Sequence, residues 1–89
     1  MIKEHLKEIF FDKIKPNAKI AIYGAGTVGI KMYHDILKHR SDVTVKYFID
    51  TYKTGEVEGV EIFPFSQVNT LKDIDLVVAA TRRDYSLVM

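Results

Sequence analysis

Six consecutive residues, Gly24-Ala25-Gly26-Thr27-Val28-Gly29, have the types and spacing to cradle a phosphate. The first glycine of such a loop permits a tight turn out of a strand. The second lets a pyrophosphate approach bare backbone, and the third lets the following helix pack closely on the sheet. A helix that starts here turns free N–H groups and the positive end of its dipole toward an anion. The Ala25 and Val28 backbones complete the cradle, and Thr27 adds a hydroxyl donor. Asp50 lies 21 residues beyond Gly29, near the spacing at which an acid meets a ribose. Its carboxylate would accept from ribose hydroxyls and repel a 2′-phosphate, which favours NAD over NADP. Thr51 stands beside it, and Lys53 weakens that preference. A tight strand-to-helix connection alone would want Gly24 and Gly29, but it leaves Gly26 and Asp50 unexplained.

Thr81 and Arg82 follow an apolar run at a place where a phosphate could meet a guanidinium. The plainer reading is a helix cap followed by solvated arginine, and on the residues alone it is preferred. No catalytic constellation accompanies these candidates. None of the five tyrosines has a lysine four residues later. His5, His34 and His39 lack the converging partners a metal site needs, and they read as surface residues. With no cysteine in the chain, thiolate metal sites and cysteine nucleophiles are excluded.

The loop needs a strand before it and a helix after it, and both are legible. Lys19–Tyr23 is a short apolar run that suits a buried strand. Thr27–His39 carries Val28, Met32, Tyr33, Ile36 and Leu37 at helical spacing. Residues 43–49 are β-branched and aromatic, so they read as a second strand ending at Asp50. Residues 51–59 read as a polar loop and residues 60–63 as a third strand stopped by Pro64. Residues 65–71 suit a brief helix capped by Ser66, and residues 75–80 a fourth strand. Thr81 with Asp84 three residues later marks a helix start. Ahead of everything, Ile2, Leu6, Ile9, Phe10 and Ile14 form one stripe of an amphipathic helix. That stripe either docks on the domain's own sheet or meets a second copy, and docking is preferred.

Strands alternating with helices predict a Rossmann-like α/β fold with three layers. The expected sheet is parallel, in strand order 3-2-1-4. The 89 residues make one domain. Because the chain stops soon after the last helix start, it reads as the N-terminal part of something longer. Net charge is +1, from 13 basic and 12 acidic residues spread along the chain, so no basic face invites nucleic acid. No apolar run reaches membrane-spanning length, and no signal peptide opens the chain. A cytoplasmic location is the default expectation.

A resemblance then becomes specific. Residues 20–29 (IAIYGAGTVG), 45–50 (VKYFID), 59–62 (GVEI) and 75–81 (DLVVAAT) resemble the N-terminal nucleotide-binding domains of bacterial surface-polysaccharide enzymes. These include nucleotide-sugar dehydratases and epimerases and the sugar acyltransferases. Gly24, Gly26, Gly29 and Asp50 match the shared pattern, whereas Glu61 replaces its usual proline. The resemblance implies a nucleotide ligand and no catalytic residue within this chain. The parent would be a nucleotide-sugar epimerase, dehydratase or transferase. NAD bound on the glycine loop is the leading expectation. The alternatives are a nucleotide-sugar substrate site in a transferase, or a structural or oligomerisation module with no ligand.

Overall fold

The computed structural model describes residues 11–80 and, as backbone, residues 85–87. Six strands, β1 (Lys19–Tyr23), β2 (Thr44–Asp50), β3 (Gly55–Val57), β4 (Val60–Pro64), β5 (Leu76–Ala80) and β6 (Tyr85–Leu87), form one sheet. One α-helix, α1 (Thr27–His39), and a 3₁₀ segment (Phe65–Thr70) complete the described elements.

The expected all-parallel sheet with helical layers on both faces does not form. The sheet is mixed, in the order β3-β4-β2-β1-β5-β6. Only the inner strands β4, β2, β1 and β5 pair in parallel. Both edges are antiparallel, β3 on β4 and β6 on β5.

The departures lie at the two edges of the sheet. Residues 51–59, expected to be a loop, fold back as β3, with Val57 opposite Val60. The two residues between them, Glu58 (φ 54°) and Gly59 (φ 74°), both adopt positive φ. That is the turn whose twist matches a two-residue hairpin. At the other edge, the expected helix is replaced by β6. Tyr85–Leu87 pairs antiparallel with Val78–Ala80 of β5. Thr81–Asp84, on which the helix start rested, lie outside the described residues. The brief helix after Pro64 is a 3₁₀ segment kinked at Gln67. Its N-cap is Pro64 rather than Ser66, with no side-chain cap bond.

The amphipathic helix expected over residues 2–14 lies mostly outside the described residues. Its end is visible: Phe11 and Asp12 are helical, and Phe11 and Ile14 are buried in the main core. Arg40 ties this end to the domain, donating to the carbonyls of Phe11 (2.6 Å) and Ile14 (2.7 Å).

The alternation of β1 divides the core. Ile20 and Ile22 face α1, whereas Ala21 and Tyr23 face the 3₁₀ segment. In β2 the alternation is interrupted, because Ile20 pairs Val45 while Ala21 pairs Tyr47. Lys46 is the extra residue of a bulge, so Val45 and Phe48 both reach the α1 side. Helix α1 buries Gly29, Met32 and Ile36 at steps of three and four. Leu37, expected on that face, is 42% exposed.

Candidate functional site

Gly24 begins the loop at φ 114°, a conformation that disfavours any side chain. Its N–H donates to the carbonyl of Ile49 at 2.7 Å, so the loop leaves β1 while still attached to β2. Ala25 is buried and Gly26 is the N-cap of α1. Exposed Thr27 and half-buried Val28 begin the helix. The first intrahelical bond runs from Ile30 N–H to the Gly26 carbonyl at 2.9 Å. The N–H groups of Thr27 and Val28 stand ahead of it, at the positive end of the helix dipole.

The three glycines differ in what they permit. A methyl group at Gly29 would sit 1.8 Å from the Gly24 carbonyl oxygen, so this glycine lets helix and loop touch. One at Gly26 would meet only Lys53 Cε, at 4.0 Å. Gly26 also has φ −92°, which any residue adopts. The fold therefore needs glycine at positions 24 and 29, whereas position 26 is bare without a packing reason.

Asp50 closes the loop. Its Oδ2 accepts from the Ala25 N–H at 2.9 Å. Its Oδ1 accepts from the N–H groups of Tyr52 (2.8 Å) and Lys53 (2.9 Å). Burial pushes the carboxyl pKa up, but the bonds from Ala25, Lys53 and Tyr52 outweigh it, aided by the charge of Lys53. Together they hold it below the ordinary aspartate value. One carboxylate thus joins the glycine loop to the turn after β2. Two oxygens offer about four acceptor directions and three are used, which leaves one for a ligand hydroxyl. Thr51 is exposed, and its Oγ1 lies 3.2 Å from the Tyr23 hydroxyl.

A cavity of about 340 Å³ opens beside the loop. Ala25 and Ile30 line it from the helix side. Lys53 and Thr54 line it from the turn after β2, Glu56 and Val57 from β3, and Ile62 from β4, so the wall carries one cation and one carboxylate. The β3 part of this wall escaped the sequence reading, which took residues 51–59 for a loop. The available signal was a valine on each side of Glu58-Gly59, but glutamate is an unusual first residue for such a turn. Thr81 and Arg82 lie outside the described residues; Asp50 is joined to the loop, whereas the Thr51 hydroxyl turns to Tyr23, on the face opposite α1. His34 and His39 are exposed and belong to other contacts. His34 Nε2 lies 3.3 Å from Glu58. His39 stacks on Phe11 with ring centroids 4.6 Å apart.

No family model, curated protein or solved structure matches this chain. No helix among the described residues is long and apolar enough to cross a membrane.

Proposed function

We propose that this chain is a nucleotide-binding domain whose Gly24–Gly29 loop seats phosphates at Gly26 and the first turn of α1, the Gly24 and Ala25 N–H groups being bonded within the fold, with an NAD-type dinucleotide as the ligand. The observation that carries the reading is Gly26. It sits at the N-terminus of α1, has no packing or conformational need to be glycine, and a Cβ there would touch only the Lys53 side chain. A phosphate over Gly26 would meet the leading N–H groups of α1 and the Lys53 ammonium. Asp50 fixes the Ala25 backbone and keeps one acceptor direction for a ribose hydroxyl. The resemblance to nucleotide-sugar enzymes supports, as part of this proposal, a role in sugar or surface-polysaccharide metabolism. In this reading the chain binds the nucleotide and carries no catalytic role of its own.

The test is thermal melting of the full chain with NAD, NADP, a UDP-sugar and inorganic pyrophosphate. A ligand at a hundred times its Kd adds about 2.7 kcal/mol to the folded state. NAD is expected to raise the melting temperature more than NADP, and Gly26→Ala is expected to abolish the rise while leaving the fold intact. A rise with the UDP-sugar alone would replace the NAD reading with a nucleotide-sugar site. No rise with any ligand, or equal rises in the wild type and Gly26→Ala, would overturn the proposal.

A further inference from the structure

The sheet face opposite α1 is covered by the 3₁₀ segment and the residues that follow it. Between cover and sheet lies a second cavity of about 390 Å³. Ile49 and Val77 form its floor, at 0% and 5% exposure. Val68 and Leu71, both half-buried, form its roof. Phe65 and Asn69 also line it, and their exposure places them at the mouth. This volume is at the small end of the roughly 300–1,000 Å³ typical of small-molecule sites.

The lining carries no side chain that is charged at neutral pH. An ionic ligand would lose its hydration there without a counter-charge. Tyr23 and Phe65 face each other with centroids 5.2 Å apart and planes inclined at 46°. Such an inclined pair accepts a third ring in tilted or offset contact. Polar groups are few, the Tyr23 hydroxyl and the Asn69 amide. The hydroxyl shares one bond with Thr51 and can make another, whereas the amide offers both a donor and an acceptor and can orient either a ligand N–H or a carbonyl.

The geometry points to a second binding site, independent of the glycine loop, for a small uncharged aromatic ring bearing one hydrogen-bonding group. The ring enters past Phe65, lies between Val68 and the Ile49–Val77 floor, and turns its polar atom toward Asn69. Apolar area drives the binding, and the aromatic pair selects a ring over an aliphatic chain.

Indole is the probe, titrated into the full chain and followed by methyl NMR. Saturable shifts are expected at Ile49, Val68, Leu71, Ile74 and Val77, with Ile20, Ile22, Ile36 and Ile62 unmoved. Inorganic pyrophosphate should leave those shifts unchanged, and displacement of indole by it would overturn the independence of the site. Val68→Trp places a ring in the cavity from its roof and should weaken indole at least about tenfold, equivalent to about 1.4 kcal/mol. Should that variant unfold, the wild-type shift map still decides. Absent saturation, or shifts spread over both faces of the sheet, refutes the site. Sedimentation of the chain as a dimer, with dilution moving the same methyl groups and indole moving none, would show that a second copy covers this face instead.

Discussion

Replacing Gly29 and Gly26 by alanine, one at a time, separates what the loop does for the fold from what it offers a ligand. At Gly29 the added carbon would lie 1.8 Å from the Gly24 carbonyl oxygen. Carbon–oxygen contacts settle at roughly 3.3 Å or more, so about 1.5 Å of movement is needed. Neither side yields easily. Gly24 is held by its bond to Ile49, and α1 is seated through Met32 and Ile36, both 0% exposed. Overpacking typically costs about 1–3 kcal/mol, and a clash against backbone that cannot yield stands at the upper end, about 3 kcal/mol. Alanine returns about 1 kcal/mol of helix propensity. The net loss is about 2 kcal/mol, which in a domain of this size lowers the melting temperature by roughly 8–16 °C. Gly26→Ala meets open space and gives up only a tolerable N-cap residue, a loss of about 0.5–1 kcal/mol. Thermal and urea unfolding of both variants without ligand measure the difference. Equal losses, or a Gly29→Ala variant that melts with the wild type, would refute the division of roles.

The Asp50 clasp and the β3 hairpin give two further tests. Asp50→Asn keeps the shape but sets an amide against a backbone N–H, and it should cost about 1–3 kcal/mol in urea unfolding at neutral pH. Because the Asp50 pKa is lowered by folding, its contribution is complete above the unfolded value, about 3.9, and disappears as pH falls through the folded one. Between those values the unfolded chain binds more protons, so stability rises with pH there. Asp42 and Asp75 are shifted in the same direction, so the variant keeps an acid limb, shallower than that of the wild type. Matching slopes would mean that the clasp is not formed. Glu58→Asn supplies the residue suited to the first position of the hairpin turn and should stabilise the fold by about 0.5 kcal/mol in thermal melts, even without the exposed His34 contact. A lower melting temperature would count against the turn.

The strand before the glycine loop and the helix after it were legible because their signals are local. An apolar run ending at a glycine and a stripe at steps of three and four need no knowledge of distant partners. Lys19–Tyr23 and Thr27–His39 accordingly form at the bounds that the residues imply. The edges of the sheet were not legible in the same way. Glu58 reaches positive φ because Val57 and Val60 pair across it, and pairing is a property of two segments. Thr81 with Asp84 resembled a helix start, but Tyr85–Leu87 pairs with β5, and that pairing too is a property of two segments. The bulge at Lys46 reverses which side chains of β2 face α1, and only the register against β1 reveals it.

By itself, the sequence determined that a glycine-rich turn joins a strand to a helix and that an acid ends the next strand. Glycine's missing side chain and the apolar periodicity act within a few residues, so composition and spacing suffice. Only the tertiary structure decided what those parts do to each other. It turned Asp50 onto the Ala25 backbone, showed that Gly29 is there for contact and Gly26 is not, and left an uncharged cavity on the opposite face of the sheet. The Asp50 bond joins segments 25 residues apart, which chain closure sets and local propensity does not, and even the Gly24–Gly29 contact depends on how the loop lies against its helix.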